Sequence, residues 1–184
     1  MHEPQEITLS RDVDAVMIPE GKEVVLPDGT FAWLTQALGG TYTVQLATGR
    51  KYRIDGKDGD AIGQPVIEHR EGEEQEALPL EEAERRGWEL LRQVHDPEIP
   101  VDVVNLGLVY TLKMHKRGDG KLLAEVRMSL TAPGCGMGDV LLDDVRRVLQ
   151  TIPGVDTVDA KIVFDPVWNP GMMSDAAKLK LGMF

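Results

Sequence analysis

The chain has little of several things. It contains a single cysteine, Cys135, and three each of Trp, Tyr and Phe among 184 residues. One thiol excludes an intrachain disulfide framework and leads us to expect a reduced thiol in the cytoplasm. No apolar run approaches the ~18 residues of a membrane-spanning helix. The first residues are charged from Glu3 and lack the apolar stretch of a secretory signal. Basic side chains are also scarce, with 20 Lys and Arg against 31 Asp and Glu for a net charge of −11. That balance argues against a nucleic-acid or anionic-membrane partner. What is present is a composition of 42% apolar and 28% charged residues, adequate for a folded protein of one domain or two small ones.

Residues 1–64 read as a small all-β domain, barrel-like or sandwich-like. Gly and Pro divide it into five short apolar runs, residues 13–17, 23–26, 31–36, 41–46 and 52–54, with turn chemistry between them. Residues 65–79 read as an acidic linker. From 68 to 89 the chain carries nine of its 31 acids. Residues 80–184 read as a two-layer α/β domain in the order α-β-β-α-β-α around a three-stranded sheet. Leu80, Ala83, Gly87, Leu90, Leu91 and Val94 share one helix face, and Pro97 and Pro100 stop that helix. Leu108, Tyr110, Leu112 and Met114 alternate, and so do Leu122, Ala124, Val126, Met128 and Leu130 across a Gly-rich turn, which predicts a hairpin. Leu141, Val145, Val148 and Ile152 mark a second helix. Val158, Ala160, Ile162 and Phe164 suggest a third strand, and Ser174 caps a short last helix.

Three loops concentrate chemistry-bearing residues. In the stretch from Thr131 to Asp139, the glycines Gly134, Gly136 and Gly138 flank Cys135 and precede a helix. Amides and a helix N-terminus there favour an anion, so the Cys135 thiolate is expected to be stabilised. The glycine spacing does not fit a dinucleotide or Walker loop. A second group is His95, Asp96 and Glu98, with Asn105 close behind. Asp96 and Asn105 are equally able to serve as turn residues, and His95 as a helix-end cap. Trp168, in a third loop with Met172 and Met173, reads either as a lid or partner surface or as core. His2, His69 and His115 have no metal-ligand spacing.

Residues 80–184 resemble the metal-sulfur cluster biosynthetic domain family, which includes PaaD-like proteins. The resemblance rests on DPEI at 96–99, NLGLVY at 105–110, MSLTAPGC at 128–135 and the Trp168 loop, four motifs in the family's order. CGMGD at 135–139, the WNPGMMSDAAKLKLGMF ending and LTQALGGTYTV at 34–44 look like its SufT-type branch of iron-sulfur cluster assembly factors. Gly136 stands where many members carry proline.

The resemblance implies an accessory role in maturing iron-sulfur proteins and no enzyme activity of its own. Cys135 would be the functional thiol and metal ligand, supported by Asp96, Glu98, Asn105, Thr131, Gly134, Gly136 and Trp168. Expected partners are client apoproteins and cluster carrier or scaffold proteins. A cluster normally takes four cysteine ligands, so transient iron or cluster binding needs a second chain, as in a homodimer, an external thiol or a client. Two alternatives are a scaffold without metal that docks clients and carriers, and a PaaD-like accessory subunit of an oxygenase complex.

Overall fold

A computed structural model describes residues 5–67, 76–96, 99–132, 134 and 136–183. The chain divides into two units, one mainly of residues 1–68 and one mainly of residues 69–184. Each is built from its own alternation pattern.

The first unit contains β1 (Gln5–Thr8), β2 (Val13–Ile18), β3 (Lys22–Leu26), β4 (Phe31–Leu38), β5 (Thr41–Leu46) and β6 (Lys51–Asp55). They make one antiparallel sheet in the order β1-β4-β5-β6-β2-β3. Ile7, Val13, Ala15, Leu26, Ala32, Val44 and Ile54 meet in a single core with Ala61 and Ile62 of the following 3-10 turn, Gly56–Ile62. Because both end strands feed that core, the sheet curls around it. Arg11 Nη2 pins the 3-10 turn through Asp58 Oδ1 at 2.9 Å and Asp60 Oδ1 at 2.8 Å.

One expectation changes here. The unit has six strands, not five, and they form one antiparallel sheet. Strand β1 escaped notice because Ile7 is its one buried side chain, too few for a legible alternation. Its pairing with β4, Ile7 opposite Ala32, supplies what the local sequence does not.

The second unit runs α1 (Leu80–Leu91), β7 (Val109–Lys116), β8 (Leu122–Met128), α2 (Gly138–Leu149), β9 (Val155–Ile162) and α3 (Asp175–Lys180), the expected order. Strand β8 lies between β7, its antiparallel hairpin partner, and β9, which is parallel to it across the α2 crossover. Leu122, Ala124, Val126 and Met128 are buried on β8, as are Ala83 and Leu91 on α1 and Leu141, Val145 and Val148 on α2. Each such large aliphatic side chain contributes about 1.5–3 kcal/mol relative to exposure. On the opposite face Arg127 Nη2 reaches Asp159 Oδ2 at 2.9 Å, and His115 Nε2 lies 3.5 Å from Glu125 Oε2.

Local boundaries differ from expectation. Helix α1 ends at Leu91, while Val94 stays buried in a turn where the Val103 N–H donates to its carbonyl at 2.9 Å. Leu80, at the first turn, is exposed. A register shift between Val109 and Thr111 takes Tyr110 out of the alternation. Strand β9 starts and stops earlier than the apolar spacing indicates, which leaves Phe164 beyond it and exposed. Among the described residues, no helix is long and apolar enough to cross a membrane.

Candidate functional site

Strands β8 and β9 are parallel, so their carboxyl ends lie at one edge of the sheet, and antiparallel β7 begins there. Three stretches that are far apart in sequence therefore meet. The Ser129 N–H donates to the Leu108 carbonyl and the Val163 N–H to the Met128 carbonyl, both at 2.8 Å. This joins the entry to β7, the exit from β8 and the exit from β9. Ligands of open α/β sheets bind at such carboxyl ends.

The entry turn is organised by Asp102, a residue the sequence reading missed. Its Oδ1 accepts the N–H groups of Val104 at 3.1 Å and Asn105 at 2.9 Å, and its Oδ2 accepts Asn105 Nδ2 at 2.7 Å. The Asp-x-x-Asn spacing is the signal that could have found it. The Ser174 hydroxyl then donates to Asn105 Oδ1 at 2.9 Å, and the Asn105 carbonyl accepts the Ser174 N–H at 2.9 Å. Ser174 in turn caps α3 by accepting the Ala177 N–H, as expected. Asn105 is thus a turn residue that also fastens the chain end.

Trp168 and its neighbours form a strap, residues 165–174, held to the same turn. Trp168 is half-buried, and its Nε1–H donates to the Leu106 carbonyl at 2.8 Å. The Tyr110 hydroxyl donates to the Pro166 carbonyl at 2.8 Å. Gly107, at φ +71°, leaves room for the Met172 carbonyl, with which any Cβ at that position would collide.

The thiol loop leaves β8 from the same place. Thr131 is half-buried, while Gly134, at φ +81°, and Gly136 are exposed. Met137, which has no side-chain oxygen, occupies the cap position of α2, so no side chain at that position covers the first amides. A Cβ on Gly138 would sit 3.1 Å from Leu130 Cδ1 and 3.3 Å from Ile162 Cδ1, which shows how closely the helix start approaches the sheet. Cys135 and Glu98 lie outside the described residues.

Asp96 is buried, and an antiparallel backbone pairing of the neighbouring His95 with Asp102 ties this segment to the entry turn. His95 Nδ1 lies 2.9 Å from the Gln93 carbonyl. Among the described residues, no three His, Cys, Asp or Glu side chains are grouped to hold a metal ion.

Residues 88–160 match the family model described as iron-sulfur cluster assembly protein. A Staphylococcus aureus protein named Fe-S protein maturation auxiliary factor SufT is 42% identical over 90 residues, covering 49% of this chain and 98% of that protein. The chain belongs to this family. A Porphyromonas gingivalis Fe-S protein maturation auxiliary factor is 43% identical over 93 residues, covering 50% of this chain and 85% of its own length. The crystal structure of a DUF59 domain from Bacillus anthracis superposes with a TM-score of 0.52 at 36% identity, over 57% of this chain and 96% of that one. Such relatives account for about half of the chain.

Proposed function

We propose that the protein is an accessory factor in iron-sulfur cluster assembly or maturation, in which Cys135 transiently ligates iron or a cluster during transfer to client apoproteins. The observation that carries this reading is the meeting of the β7 entry turn, the thiol loop and the strap at one end of the sheet. The names of similar proteins point to the same pathway. In sequence Cys135 stands three residues before α2, and a helix N-terminus is a setting in which thiolates are favoured. One thiol cannot supply the four ligands a cluster usually takes. His95, Asp96 and Glu98 are the nitrogen and oxygen donors we assign to the site, with the balance coming from a client, a carrier, an external thiol or a second copy. The role we assign is that of an accessory factor without catalysis of its own.

We further assign residues 1–64 as a β domain, 65–79 as an acidic spacer and 80–184 as the cargo-handling domain. Anaerobic reconstitution with ferrous iron and sulfide, followed by iron and sulfide analysis, tests the thiol. The wild type is expected to retain iron and Cys135→Ser to lose most of it. Equal, negligible loading of both would reject the ligand role.

A second reading, a docking scaffold, is favoured by Val167, 65% exposed, and Leu179, 68% exposed, near the chain end. Under that reading Val167→Ser with Leu179→Ser lowers client activity in cells while iron loading stays at the wild-type level. Unchanged client activity counts against it.

A further inference from the structure

The strap is held to β7 through a hydroxyl that faces two acceptors. The Tyr110 hydroxyl donates to the Pro166 carbonyl at 2.8 Å and lies 3.8 Å from Met172 Sδ. It has one proton to give. A thioether sulfur is a weak acceptor, so the carbonyl keeps that proton while the sulfur is unmodified.

Met172 is also a methionine that a dissolved oxidant can reach. Met114, Met128, Met137 and Met173 are buried, and Met17 packs against the core of the first unit. Among the described residues that leaves Met172, half-buried, and Met183, 42% exposed. The Met172 backbone is fixed on both sides. Its N–H donates to the Asn169 carbonyl at 2.9 Å, and its own carbonyl occupies the space that Gly107 leaves open. The side chain is therefore kept beside Tyr110.

We propose that Met172 is an oxidation site whose sulfoxide takes the Tyr110 hydroxyl from the Pro166 carbonyl and so loosens the strap. A hydroperoxide supplies the oxygen. Its oxygen–oxygen bond breaks, a sulfur–oxygen bond forms, the sulfur gives up two electrons, and hydrogen peroxide leaves as water. Tyr110 retains its proton and changes only its acceptor. The new oxygen is a polar acceptor on a sulfur already in contact with the hydroxyl, and Pro166 is exposed, so its released carbonyl turns to water without being left unsatisfied. The fastening that remains nearest the released carbonyl is the Trp168 Nε1–H on the Leu106 carbonyl. No part of this step involves Cys135 or bound iron.

Wild type, Met172→Leu, Tyr110→Phe and Cys135→Ser chains, isotopically labelled at the methionine methyl groups and tryptophan indole nitrogens, are treated with hydrogen peroxide. Sulfoxide is located by peptide mass and by displacement of the methyl signals. Solvent exchange of the Trp168 indole N–H, assigned with Trp168→Phe, is measured before and after. We expect Met172 to oxidise with Met183, ahead of the four buried methionines, and the Trp168 indole N–H to exchange about five- to tenfold faster, the effect of one lost hydrogen bond. Methionine sulfoxide reductases restore the original rate. Met172→Leu, oxidised at Met183, keeps its starting rate, and Cys135→Ser responds like the wild type. Tyr110→Phe exchanges faster before treatment and gains nothing after it.

Oxidation of Met183 with Met172 untouched overturns the site. Met172 sulfoxide with an unchanged indole rate, or an equal acceleration in Tyr110→Phe, overturns the transfer of the hydroxyl. A full response in Met172→Leu, or none in Cys135→Ser, assigns the effect to another side chain and overturns the proposal as well. Each of these outcomes leaves the reading of Cys135 as a ligand standing, since iron loading tests that separately.

Discussion

Asp102 receives three N–H groups on one carboxylate, and through Asn105 it fixes Ser174, where the strap ends and α3 begins. Asp102→Ala is expected to cost about 2 kcal/mol in urea unfolding, because charged hydrogen bonds are lost and their donors are left part-buried. Asp102→Asn, which retains an acceptor, should cost less. Gly107→Ala meets two obstacles, a positive φ and the Met172 carbonyl, and should destabilise by about 1–3 kcal/mol while loosening the strap in hydrogen exchange. At Asp159, the hydrogen bond from Arg127, joined by Lys161, holds the carboxyl below its ordinary value. A lowered folded-state pKa stabilises above the unfolded carboxylate value of about 3.9, and that contribution disappears as pH falls through the folded value. The melting-temperature gap between wild type and Asp159→Asn should therefore narrow as pH drops below about 4.

Elements constrain one another at a larger scale. Among the described residues, strand β7 has β8 as its one strand neighbour, so its outer side presents backbone groups that could recruit another chain. Helix α1 covers part of that side, since Glu84 Oε1 accepts the Met114 N–H at 2.9 Å. Glu84→Ala is expected to cost about 1 kcal/mol and to raise the fraction of associated protein in sedimentation at high concentration. The α2–β9 connection is similarly fixed. The Val155 N–H closes a turn on the Ile152 carbonyl at 3.0 Å, and Gly154 holds φ +86° so close against Ala77 that a side chain at position 154 would collide with the Ala77 Cβ. The apolar stripes of α1 and α2 were legible because their faces repeat over three turns. The short β1 was not, and the end of α1 was misjudged because Val94 is buried by a turn, without being helical.

At the scale of the molecule, each unit has its own sheet, and the buried side chains of the first unit form a core of their own. We expect a chain cut to residues 76–184 to show a cooperative thermal transition, and a broad, non-cooperative melt would count against independent folding.

The amino-acid sequence by itself determined the single thiol, the acidic balance, the order of helices and strands in the second unit, and the motifs that mark the family. Those properties are local, because periodicity and turn residues act over a few positions. Tertiary structure alone decided that Asn105 holds Ser174 across 69 residues, that Trp168 is fastened to the Leu106 carbonyl, and that Ser129 is sealed without a partner among the described residues. These depend on strand direction and register, which bring distant backbone and side-chain groups within hydrogen-bond reach only once the sheet has formed.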